Sequence, residues 1–91
     1  MNTLIENIEK LHTTELGKLR ISRNLSLEHP EQAVDFCTNL IKKASEFSQI
    51  KRLGKNYYAE TDGIIITINA HSYTIITAKL MPLSHKKNRV I

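Results

Sequence analysis

A lone cysteine, Cys37, excludes an internal disulfide and makes a reducing cytoplasm the expected setting. The three glycines, Gly17, Gly54 and Gly63, lie too far apart to build a phosphate-cradling loop, and no nucleophile elbow is present. The four histidines, His12, His29, His71 and His85, are widely separated, with no cysteine or carboxylate at ligand spacing. No metal and no cofactor are therefore expected. No apolar run reaches the roughly 18 residues that a membrane span requires. Glu6 and Glu9 stand where a secretory leader would carry positive charge. Internal repeats, low-complexity tracts and linkers are lacking as well. These absences leave a small cytoplasmic domain with no membrane partner.

What is present is unevenly distributed. Residues 1–47 hold six Lys/Arg against seven Asp/Glu, whereas residues 48–91 hold seven against Glu60 and Asp62 alone. The formal net charge of +4 thus belongs to the second half. That asymmetry suggests a polyanionic partner, nucleic acid being the commonest, although a net charge of this size also suits an ordinary solvated surface. Ninety-one residues make one domain with a modest core. The expected division is a domain over 1–83 and a flexible basic tail over 84–91, because Pro82 ends regular structure.

The first half reads as helical. Thr3 and Glu6 have capping-box spacing, and Leu4, Ile5, Ile8 and Leu11 carry a first helix to His12. Thr13 or Thr14 caps a second helix bearing Leu16, Leu19, Arg20 and Arg23, weakened by Gly17. Pro30 suits the first turn of a third helix, whose stripe is Ala33, Val34, Cys37, Leu40, Ile41, Ala44 and Phe47.

After Ser48 the apolar period changes from 3.6 to 2. Strands are expected over 48–53, 57–60, 64–68 and 73–80, with Gly54-Lys55-Asn56, Asp62-Gly63 and the segment 69–72 as turns. The fold class is α+β: three N-terminal helices packed on one face of a four-stranded antiparallel β-meander. With a three-residue last loop, Asn69 faces Tyr73 and Ile65 faces Thr77. The open sheet face then carries Thr67, Asn69, Tyr73, Thr77 and Lys79 beside Ile65 and Ile75, whereas a two-residue loop would scramble this assignment.

Candidate chemistry gathers around that face. His71 sits at a hairpin tip beside Ser72 and Tyr73, suited either to proton transfer or to a plain polar turn. His12 ends the first helix, where the helix dipole alone accounts for an imidazolium. Arg20 and Arg23, three apart on one helix face, grip a phosphate or simply face solvent. Lys55 and Asn56 are cationic and polar turn residues, and Tyr57, Tyr58 and Tyr73 offer stacking planes. Cys37 lies on an apolar stripe and reads as core.

Two resemblances add to this. Leu11-His12-Thr13-Thr14-Glu15-Leu16-Gly17 with Arg20 and Asn24, then Gly54-Lys55-Asn56-Tyr57-Tyr58, then 66–78 (ITINAHSYTIITA) resemble a family of small bacterial proteins with no assigned function. The likeness runs from Leu4 to Leu80 and implies a domain without an activity. His71-Ser72-Tyr73-Thr74-Ile75-Ile76-Thr77-Ala78-Lys79 is also similar, with altered spacing, to the last hairpin of barnase, whose fold is shared by ribonuclease colicins and RelE-type toxins. That resemblance implies His71 as general acid, with Arg20 or Arg23 and Lys55 stabilising phosphorane-like charge. No glutamate matches the general base, a role that falls to His12.

The resulting expectation is a small nucleic-acid-binding protein, in its catalytic form a metal-independent ribonuclease of toxin type acting on the open sheet face. Catalysis would rest on His71 and His12, and binding on Arg20, Arg23, Lys55, Tyr73, Thr77 and Lys79. The alternative is a non-catalytic module that docks a protein partner through a sheet edge or an Ile65/Ile75 patch.

Overall fold

The computed structural model describes residues 3–81, so the expected domain end at 83 and the basic tail over 84–91 lie outside the described residues. Three helices, α1 (Thr3–Glu6), α2 (Glu15–Leu25) and α3 (Ala33–Glu46), precede four strands, β1 (Ile50–Leu53), β2 (Asn56–Thr61), β3 (Ile64–Asn69) and β4 (Ile75–Leu80). The strands form one antiparallel sheet in sequence order. The fold is α+β with an antiparallel four-stranded meander, and only α2 and α3 are sizeable helices.

The first helix is shorter than the apolar spacing predicts. Asn7 donates from its side chain to the Thr3 carbonyl at 3.0 Å, supplying a local partner that competes with helix propagation. A 3₁₀ turn, Ile8–Lys10, follows. Thr3 is itself helical and does not act as the expected cap. In α2 the cap is Thr14, whose hydroxyl accepts from the Gly17 N–H at 2.9 Å.

The buried side of α2 differs from the expected one. Leu16 and Leu19 are 56% and 49% exposed, and Gly17, Ile21 and Ser22 are buried instead. The helix lies along the outer edge of β4, with the Asn24 amide donating to the Ala78 carbonyl at 3.2 Å and Thr13 Oγ1 donating to the Ile75 carbonyl at 2.8 Å. A Cβ at position 17 would run into Thr13 Oγ1. Gly17 therefore permits close approach rather than merely weakening the helix.

Helix α3 keeps the stripe of Ala33, Cys37, Leu40, Ile41 and Ala44 buried, while Phe47 lies past its end and is exposed. Pro30 opens a 3₁₀ turn, Pro30–Gln32, that leads into α3. The core forms between these helices and one sheet face, from Leu4, Ile21, Cys37 and Ile41 against Ile66, Ile68 and Ile75. Burying apolar side chains of this size contributes about 1.5–3 kcal/mol each.

Two turns set the register of the first three strands. Asp62 and Gly63 both have positive φ, 53° and 74°, as a type I′ turn requires. Gly54, at φ 61°, opens the two-residue turn between β1 and β2.

The last hairpin departs from expectation in a self-correcting way. Its loop holds four residues, 70–73, closed by Asn69 N–H to the Thr74 carbonyl at 2.8 Å and Tyr73 N–H to the Asn69 carbonyl at 2.9 Å. One residue more than expected turns the chain by a face, so Ile75 pairs with Ile68 and is only 1% exposed. A bulge between Thr67 and Ile68 then leaves Ile76 without a partner and turns the chain back. Thr67 meets Thr77, Ile65 meets Lys79, and Thr77 and Lys79 return to the open face.

Candidate functional site

The sheet face opposite the helices is lined by Lys51, Leu53, Tyr58, Glu60, Ile65, Thr67, Thr77 and Lys79, around a shallow groove of about 350 Å³. Register orders these residues in rows. Lys51, Tyr58, Thr67 and Thr77 stand side by side across the four strands, and Glu60, Ile65 and Lys79 form the next row. Tyr58 is the aromatic residue of this groove, and its hydroxyl accepts from the Asn56 amide at 3.4 Å. Asp62, the acidic turn residue after β2, is neutralised by Lys43 at 3.0 Å.

At the end of the sheet where β1 turns into β2 and β3 into β4, a second cleft of about 430 Å³ is lined by Arg52, Lys55, Asn69, Ala70 and His71. Its parts are held by main-chain bonds. The Ala70 N–H donates to the Lys55 carbonyl at 2.8 Å and ties the two turns together. Asn69 Oδ1 accepts from the N–H groups of His71 and Ser72 at 2.8 and 2.9 Å, which folds the loop into an Asx turn. Arg52 donates from Nε to the Gly54 carbonyl at 2.9 Å, and its guanidinium sits 5.5 Å from the Tyr57 ring. No carboxylate lines this cleft.

His12 reaches the same loop from the other side, along the outer edge of β4. Its main chain accepts from Ile75 N–H at 2.7 Å and donates to the Tyr73 carbonyl at 3.3 Å. Ring Nδ1 lies 2.9 Å from the Lys10 carbonyl, so it carries the proton. Nε2 is hydrogen-bonded to Thr74 Oγ1 at 3.0 Å, which in turn is hydrogen-bonded to the Ser72 hydroxyl at 2.7 Å. Both ring nitrogens are thus engaged, Nδ1 within the segment before α2 and Nε2 in stitching that segment to the hairpin.

The expected site residues therefore fall into separate groups. Lys55 and His71 share the sheet-end cleft, and Thr77 and Lys79 share the open groove. Arg20 and Arg23 are exposed on α2 and line neither. Tyr73 is not on the open face: it has φ 62°, packs partly against the core and lies 5.9 Å from Lys10 Nζ. The extra loop residue removes both Tyr73 and Ile75 from the face expected for them. Tyr57 is buried, which leaves the half-buried Tyr58 as the one tyrosine of the three on the open face.

Arg52 was not among the sequence candidates. Its signal was available: it lies two residues before Gly54 on an edge strand, beside a two-residue turn bearing a second cation. The Ser72–Thr74–His12 chain had no comparable signal, because it depends on a loop length that composition does not fix.

Among the described residues, no group of three His, Cys, Asp or Glu side chains is placed to hold a metal ion. No described helix is long and apolar enough to cross a membrane. Burial in the core pushes the Cys37 thiol up to about 12, which keeps it protonated and unreactive near neutral pH.

The chain belongs to the family described as "Protein of unknown function (DUF3781)", which matches residues 5–79. No curated protein and no solved structure matches it. The likeness to ribonuclease folds accordingly gains nothing from these comparisons.

Proposed function

We propose, for a chain whose family supplies no activity, that it binds single-stranded nucleic acid, RNA in the first instance, across the open face of its sheet. One observation carries the reading: the face left bare by the helices places Tyr58 in a row with Lys51, Thr67 and Thr77, with Lys79 in the next row. An aromatic platform provides stacking for any base, and flanking ammonium groups attract the phosphate backbone. Threonine hydroxyls donate and accept, so they suit base edges or sugar hydroxyls.

Fluorescence anisotropy of a labelled oligouridylate, beside its DNA counterpart, tests the reading. Micromolar or tighter binding is expected to weaken steeply with salt, with a slope near −0.7 per phosphate contact. Tyr58→Ala should cost about 1–3 kcal/mol in binding, the usual worth of one stacked base. Binding indifferent to salt and to Tyr58→Ala would overturn it.

In its catalytic form the reading makes His71 the proton donor for RNA cleavage. Incubation with RNA in EDTA separates cleavage from binding, since cleavage lost in His71→Ala is expected only of an enzyme. A second reading, the non-catalytic protein-docking module, draws on Leu53 and Leu80, each 62% exposed, and on β1, which pairs with β2 alone. A protein partner there would lack the steep salt dependence and would be indifferent to His71→Ala.

A further inference from the structure

We propose that the cleft at the sheet end is a phosphate subsite that selects the terminal phosphate of the bound strand; this deepens the nucleic-acid reading and rests on it. Three side chains able to donate to an anion, Arg52, Lys55 and His71, line the cleft, and no carboxylate competes for them. The Arg52 guanidinium is already oriented. Its Nε is committed to the Gly54 carbonyl and its guanidinium carbon lies 5.5 Å from the Tyr57 ring, so the two terminal nitrogens remain as a fork for two phosphate oxygens. Lys55 is positioned by the bond from Ala70 to its carbonyl, and His71 by the Asn69 side chain that fixes its own N–H. The main chain of the cleft is thus ordered before an anion arrives, and the exposed Lys55 and His71 side chains are left to close on it.

The cleft lies around the sheet end from the groove: Arg52, paired with the buried Tyr57, reaches it from the helix side of the sheet, and Asn69 from the open side. Asn69 lines the cleft and stands on the same side of β3 as Thr67 and Ile65, which line the groove. A strand stacked on Tyr58 and running past Asn69 rounds the turn at Lys55 before its end meets Arg52. A terminal phosphate is the better ligand there, because it carries about −1.5 to −2 charge near pH 7 and three acceptor oxygens. An internal diester carries one charge and continues past the sheet, where the cleft offers it less.

The test compares a short oligouridylate bearing a 5′-phosphate, one bearing a 3′-phosphate and one bearing neither, each labelled at an unphosphorylated end, by anisotropy at constant ionic strength. One phosphorylated form is expected to bind at least about tenfold tighter than the unphosphorylated one, as befits two or more charge-assisted hydrogen bonds. Arg52→Gln and Lys55→Gln should each bring that ratio close to one, whereas Lys79→Gln should weaken all three oligonucleotides and leave the ratio in place. Circular dichroism of each variant checks that the fold is retained. Binding of all three oligonucleotides with equal affinity would overturn the subsite while leaving the groove reading intact. No binding by any of them would overturn both. A ratio that survives Arg52→Gln and Lys55→Gln would put the terminal phosphate elsewhere and also overturn the subsite.

Discussion

The main-chain N–H of Ala70 donates to the carbonyl of Lys55 at 2.8 Å, joining the first turn of the sheet to its last loop. Two segments fifteen residues apart in sequence thereby become the two walls of one cleft. The geometry depends on Gly54, which adopts φ 61° beside Lys55 and has open space where a Cβ would stand. Gly54→Ala meets no steric neighbour and so isolates the backbone cost, about 1–2 kcal/mol for a left-handed residue. Urea denaturation should show that loss, and hydrogen exchange at the Ala70 amide should accelerate with it.

Gly17 sets helix propensity against packing. Alanine would favour the helix by about 1 kcal/mol, but its Cβ would collide with Thr13 Oγ1, which is itself held by the Ile75 carbonyl. Packing should win, so Gly17→Ala is expected to lower the denaturation midpoint. In a Thr13→Ala background the collision is gone and only the close approach to Thr14 Oγ1 at 3.2 Å remains, so the same change should cost much less. A double-mutant cycle reads the difference directly.

Ile65 and Ile66 are chain neighbours on opposite faces. Ile66 is fully buried in the core and Ile65 lines the open groove. Ile66→Ala should cost about 2–5 kcal/mol of stability by leaving a cavity, and Ile65→Ala under about 1 kcal/mol. Equal losses would mean that the open face is covered by something in solution.

Much of this architecture was legible before the structure. The change of period after Ser48, the Asp62-Gly63 turn and the stripe from Ala33 to Ala44 are local signals, and each produced its element. What could not be read was non-local. Whether α2 buries Leu16 and Leu19 or Gly17 and Ile21 depends on which side β4 approaches, and both sides carry apolar residues. Thr77 and Lys79 fell on the expected face only because a bulge reversed the effect of a longer loop. Tyr73 and Ile75, lying between the loop and the bulge, did not. The cleft joins residues near 52–55 to residues near 69–71, a pairing that the meander order allows but does not specify.

Cys37 gives a prediction in pH. Its thiol is raised from 9.0 to about 12 by burial, so the native state holds its proton more tightly than the unfolded chain does. The stability this contributes is fully present below the unfolded value and is lost as pH rises from 9.0 through about 12. Labelling with a thiol-reactive disulfide at pH 8 should therefore be slow in the native protein and fast in guanidinium. Rapid labelling without denaturant would place Cys37 at an accessible site.

The open sheet face as a nucleic-acid surface is tested most directly by titrating an oligouridylate into the ¹⁵N-labelled protein and following the amide resonances. The account predicts shifts concentrated at Lys51, Tyr58, Thr67, Thr77 and Lys79 and extending to Lys55 and His71, with the exposed side of α2 around Leu16 and Leu19 unmoved. Shifts confined to α2, or none at concentrations that saturate an ordinary single-strand binder, would contradict it.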